Sequence, residues 1–122
     1  MRIFKNKWFA KFARKERISG EKLIQAVQDV DAGNIDADYG GGVIKQRIAR
    51  RKGGKSGGYR TIILFRQNEK AFFVYGFAKS MLENIDKADV QGFKKLAKIM
   101  LSVTEQQIEI MLEKGEVEEI QS

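Results

Sequence analysis

Two stretches of this chain, Tyr59–Arg66 (YRTIILFR) and Ala71–Phe77 (AFFVYGF), carry apolar runs with no polar side. A strand with one wet face alternates apolar and polar residues, so these two suit the centre of a sheet that is covered, at least in part, on both faces. The Gln67–Lys70 connection between them has hairpin length, which predicts an antiparallel pair. The rest of the chain has to supply the cover.

Its elements can be read in order. Arg2–Lys5 reads as a short first strand. Trp8, Phe9 and Phe12 recur at helical spacing among charges, which predicts an amphipathic helix from about Lys7 to Arg17. Ser19 can cap a second helix whose buried stripe is Leu23, Ile24, Val27 and Val30, with Gly33 as a left-handed stop. Asp29 to Asp38 reads as an acidic loop, and Val43–Arg51 as a strand rich in β-branched residues. Phe93, Leu96, Ala97 and Met100 form a third helical stripe. Thr104 with Gln107 matches a capping box for a fourth helix, which ends at Gly115. These elements predict an α+β fold over residues 1–122 as a single domain: one mainly antiparallel sheet, a helical pair before it and helices after it.

The charge is unevenly placed. Between Gly40 and Asn68 stand eight basic residues and no acid: Lys45, Arg47, Arg50, Arg51, Lys52, Lys55, Arg60 and Arg66. The formal net charge is +7, so the remainder of the chain is close to neutral. A field concentrated in one strand–loop–strand unit points to a polyanion. By alternation Lys45, Arg47 and Arg51 share one face of their strand, and Arg60 and Arg66 share one face of the next, with Tyr59 opposite. Seven N-terminal cations around Trp8 and Phe12 admit a membrane-surface helix, but such a stripe is more often core. The chain has no apolar run near the roughly 18 residues of a membrane span, and Lys5, Lys7 and Lys11 interrupt any signal peptide, so a cytoplasmic location is expected.

Residue types narrow the chemistry further. There is no Cys and no His, which excludes Ser–His and Cys–His pairs, imidazole bases and the usual zinc sets. Any catalysis falls to Lys, Arg, Tyr and carboxylates, with no cofactor or metal expected. The segment from Ala49 to Ser56 ends like a phosphate-binding Walker loop. It lacks the first Gly, and a strand rather than a helix follows, so a cationic hairpin loop is the better reading.

The order strand, two helices, basic strand GGGVIKQRIAR, then SGGYRTIILF and FFVYGFAKS resembles the RelE/ParE superfamily of toxins from bacterial type II toxin–antitoxin systems. The GYR triplet and the FFVYGFAKS strand end are similar to the RelE branch, near its HigB-like members. The resemblance covers nearly the whole chain. It implies a small toxin that cuts messenger RNA on the ribosome and is silenced by an antitoxin protein, of helix-turn-helix type. The ParE branch of the same fold implies an alternative, a blocker of DNA gyrase without catalysis. A third reading is a plain nucleic-acid-binding module.

Carried over residue by residue, the resemblance implies a catalytic set of Lys45, Arg47, Arg60 and Lys79, with Tyr75 as a phenol close by. Arg50, Arg51, Lys52, Lys55, Tyr59 and Arg66 would bind RNA. Ser80 stands where many relatives have Arg, and Asp86 near where they have Tyr, so the acid and base stay open among Lys45, Lys79, the tyrosines, Glu83 and Asp86. The reaction implied is metal-independent attack by an RNA 2′-OH on its own phosphate. Arg60 and Arg47 would stabilise the transition state.

Overall fold

A computed structural model describes residues 1–49, 58–78 and 85–121. In it one six-stranded sheet runs β2-β3-β4-β5-β1-β6. Its strands are β1 (Arg2–Asn6), β2 (Ala37–Gly40), β3 (Val43–Ile48), β4 (Tyr59–Arg66), β5 (Lys70–Ala78) and β6 (Val117–Glu119). The helices are α1 (Lys7–Glu16), α2 (Gly20–Asp31), α3 (Lys87–Met100) and α4 (Glu105–Glu113). The α+β architecture expected from sequence is therefore present. The expected hairpin pairs β4 with β5 antiparallel, and Asn68 takes the left-handed turn position at φ 64°. Four neighbouring pairs are antiparallel, whereas β1 lies parallel to β5.

Both faces of the central strands are covered. One core packs Phe9, Ala13, Leu23 and Val27 of α1 and α2 against Ile44, Ile48, Ile63 and Phe73. The other packs Ala97 and Ile108 of α3 and α4, with Leu101 at the end of α3, against Val43, Ile62, Leu64 and Phe72. The caps match the sequence signals. Ser19 accepts from the Lys22 amide at the start of α2, and Thr104 and Gln107 close a reciprocal capping box on α4. Among the described residues no helix is long and apolar enough to cross a membrane.

Three of the N-terminal cations, Arg2, Lys5 and Arg14, meet carboxylates of the fold. Arg2 grips Glu119 with two nitrogens, Nη2 at 2.7 Å and Nε at 2.9 Å. It also pairs with Glu105 and Glu109 of α4, and its guanidinium carbon lies 5.0 Å from the centre of the Phe4 ring. Lys5 and Arg14 both reach Glu118. Charge thus cancels around β1, β6 and α4, while the excess stays at β3 and β4.

This clasp has an acid limit. The hydrogen bonds from Arg2 hold the Glu119 carboxyl below its ordinary value of 4.5. A depressed folded-state value contributes stability above the unfolded value, and that stability is lost as pH falls through the folded one. Thermal melts from neutral pH down to about pH 3 should therefore lose stability along the acid limb. Glu119→Gln should melt lower than wild type at neutral pH and lose less on acidification. Equal pH dependence of the two proteins would show that the clasp contributes nothing.

Candidate nucleic-acid interface

The cations of β3 and β4 gather on the sheet face that carries α3 and α4. Alternation puts Lys45 and Arg47 on the side of Val43, and Arg60 on the side of Ile62 and Leu64. The register sets Arg47 directly opposite Arg60, and Lys45 opposite Ile62, so the three form a triangle across adjacent strands. Arg60 in turn stands opposite Phe77, and Ile62 opposite Tyr75, which adds two aromatic rings from β5.

Tyr75 reaches this face because of a bulge. Ile62 pairs with Tyr75 and Ile63 with Phe73, leaving Val74 as an extra residue in β5. Phe72 and Val74 lie in the α3/α4 core, and after the bulge Tyr75 and Phe77 lie on that same side. Strict alternation would have sent them to the other face. Asn6 holds the bulge from outside. Its amide donates to the Val74 carbonyl at 3.2 Å while its side-chain oxygen accepts from Phe9 N at the start of α1. Trp8, nearly half exposed, then stacks between Phe12 (5.3 Å) and Tyr75 (4.6 Å), and Phe93 of α3 approaches Tyr75 at 5.9 Å. Gly76 is required here, since a Cβ would come within 2.6 Å of the Phe12 ring.

A carboxylate sits among the cations. Asp36 Oδ2 lies 3.4 Å from Arg60 Nε and 3.8 Å from Lys45 Nζ. Its backbone N–H donates to Gln46 Oε1 at 3.1 Å, and Gln46 Nε2 donates to the Asn34 carbonyl at 2.8 Å. Gln46 is buried on the inward face of β3, so one amide side chain anchors the segment before β2. Among the described residues, Arg60 Nη1 is buried without a hydrogen-bond partner. A cleft of about 750 Å³ opens beside Asp36 and Arg47, between α2 and the outer edge of β3, with Lys22, Gln25 and Asn34 in its wall. Among the described residues no group of three or more acids is arranged to hold a metal ion.

Other residues singled out by sequence lie elsewhere. Tyr59 is buried on the α1/α2 side and its hydroxyl donates to Glu16 at 2.9 Å. Arg66, at the far end of β4, donates to the Leu101 carbonyl at 2.6 Å, where it closes the C-terminal end of α3. Asp86 accepts from Asp89 N as the cap of α3. Arg50, Arg51, Lys52, Lys55, Lys79, Ser80 and Glu83 fall outside the described residues, as does most of the Walker-like segment. Asp36 was missed. Its only trace in the sequence is Gln46, a polar residue between Ile44 and Ile48 on a face that should be apolar.

A family profile described as "RelE toxin of RelE / RelB toxin-antitoxin system" matches residues 1–120. The chain belongs to the RelE toxin family. A comparison with curated proteins returned no match. As a RelE-family member the chain is a toxin of a toxin–antitoxin system, and an antitoxin partner comes with that membership. Nearly the whole fold is matched, so the basic β3–β4 unit and the β5 strand end both lie inside the RelE toxin domain.

Proposed function

We propose that this RelE-family toxin is a ribosome-dependent endoribonuclease that acts in the cytoplasm on translated messages. The supporting observation is the Lys45, Arg47 and Arg60 triangle, with a buried guanidinium nitrogen on Arg60 that has no acceptor. A buried donor left unpaired is costly, and a shift of the partly exposed Arg60 side chain onto a bound phosphate would satisfy it. Strand positions hold these cations in fixed geometry, as stabilisation of a transition state requires.

The 2′-OH of the message attacks its own phosphorus and the P–O5′ bond breaks, leaving a cyclic phosphate and a 5′-hydroxyl. Negative charge grows on the phosphoryl oxygens as this happens. Arg60 and Arg47 face that charge, with Lys45 beside them. Tyr75, one strand beyond Arg60, gives its phenolic proton to the departing 5′-oxygen. Lys79 is the other donor for that step. The ribosome orients the message, since the toxin offers no imidazole to run the reaction unaided. The loop cations Arg50, Arg51, Lys52 and Lys55 add affinity for RNA, and a helix-turn-helix antitoxin silences the toxin.

Induction of the toxin should produce new 5′ ends inside translated messages, mapped by primer extension, and spare a frame whose start codon has been removed. Intact messages accompanied by inhibited supercoiling with purified gyrase would replace this reading with that of a gyrase blocker.

A further inference from the structure

The geometry points to Asp36 as the general base of this cleavage, an assignment that rests on the ribonuclease reading above. The chain has no His, so the proton of the 2′-OH must go to a carboxylate, a phenol or an amine. Among the described residues, the carboxylate paired with this cation triangle is that of Asp36, through Arg60 and Lys45.

Two observations separate it from an ordinary surface ion pair. The first is its anchoring. Gln46 is 5% exposed, and its whole amide is used to hold the Asn34 carbonyl and the Asp36 amide. The Asp36 backbone is thus fixed to β3, and its side chain, 32% exposed, remains open to a substrate. The second is how Arg60 is shared. The carboxylate lies at Nε, while Nη1 at another corner of the same guanidinium is buried and unpartnered. A phosphate that draws the partly exposed Arg60 side chain towards it can bond Nη1 and leave Nε with Asp36, and one planar group then fixes both partners relative to each other.

The strand order then gives the reaction its direction. Asp36 meets Arg60 from the β2–β3 side, and Tyr75 stands on the β5 side, in register with Ile62. In-line displacement at phosphorus needs the attacking and leaving oxygens on opposite sides, so its base and acid must flank the phosphate in this way. Asp36 Oδ2 takes the 2′-OH proton as the 2′-oxygen bonds to phosphorus. The P–O5′ bond breaks, and the departing oxygen takes the Tyr75 proton. Transfer of the proton from the Asp36 carboxyl to the Tyr75 phenolate through solvent restores both groups, and no other reactant is consumed.

The test compares wild type, Asp36→Asn and Asp36→Gly in a reconstituted translation reaction on a short message. Binding to a single-stranded RNA oligonucleotide is measured in parallel. Asp36→Asn should cut about 10²–10⁴-fold more slowly. It should bind the oligonucleotide at least as tightly as wild type, because a negative charge has left a cation cluster. Added formate should restore part of the Asp36→Gly rate, which repair of a folding defect would not explain. Asp36→Asn cutting as fast as wild type, or faster, would overturn the assignment and leave Asp36 as a resident counter-ion of the phosphate site. Should Asp36→Asn prove unfolded, the formate arm decides, and absence of rescue counts against the base. A message with a 2′-deoxy nucleotide at the cut site tests the underlying reading separately. If wild type cleaves it, 2′-OH attack is wrong whatever Asp36 does.

Discussion

Arg60→Ala should lose about 10²–10³ in message cleavage, the usual cost of deleting one donor aimed at developing charge, and should no longer arrest growth. The fold should survive. Arg60 is partly buried on the sheet yet leaves one buried nitrogen unsatisfied, so its removal deletes an unmet donor as well as an ion pair. Lys45 remains to face Asp36. Arg60→Lys keeps the charge but not the planar fork, and should fall between the two. The measurement is cleavage in reconstituted translation, with thermal melts of each variant alongside. A folded Arg60→Ala protein with full toxicity would remove Arg60 from the chemistry. Arg60→Met, which keeps the apolar stem, guards against confusing lost charge with lost packing.

Phe72→Ala should be the most destabilising of the single truncations considered. Phe72 is fully buried, stacks on Phe4 at 5.0 Å, and sits where β1 and β4 both pair with β5. Truncating a buried Phe costs about 3–5 kcal/mol. Small domains hold only about 5–15 kcal/mol in total. The melting midpoint should fall by roughly 10–20 °C. Trp8→Ala, at a position nearly half exposed, should cost less. A loss under about 1 kcal/mol at Phe72 would mean that the α3/α4 core can collapse around the gap.

The parts of the fold that announce themselves locally were legible in the sequence. The double-sided strands, the caps at Ser19 and Thr104 and the left-handed glycines Gly33 and Gly115 all stand where periodicity put them. The strands β2 and β6 were not legible, because Ala37–Gly40 and Val117–Glu119 are short and rich in Gly or acid. They are strands only because β3 and β1 offer them an edge. The parallel pairing of β1 with β5 was equally hidden, since periodicity identifies a strand and not its neighbour. Alternation put Lys45 and Arg47 on one face of β3 and Arg60 on one face of β4, and in the fold the three share a face of the sheet. It could not find the bulge that turns Tyr75 toward them, nor an aspartate brought in by a distant glutamine. β3 is described as Val43–Ile48, and Arg50 and Arg51 of the expected strand lie outside the described residues.

The position of β1 affects the timing of synthesis. It precedes the other strands in sequence, yet its partners on either side are Lys70–Phe73 and Val117–Glu119. Strands β2, β3 and β4 can pair among themselves as they emerge, whereas β1 must wait for β5 and then for β6. Contacts that span so much sequence form late and slowly. Asn6, which holds the Tyr75 bulge, moves with β1. A nascent toxin can therefore display its basic hairpin before its aromatic side is assembled.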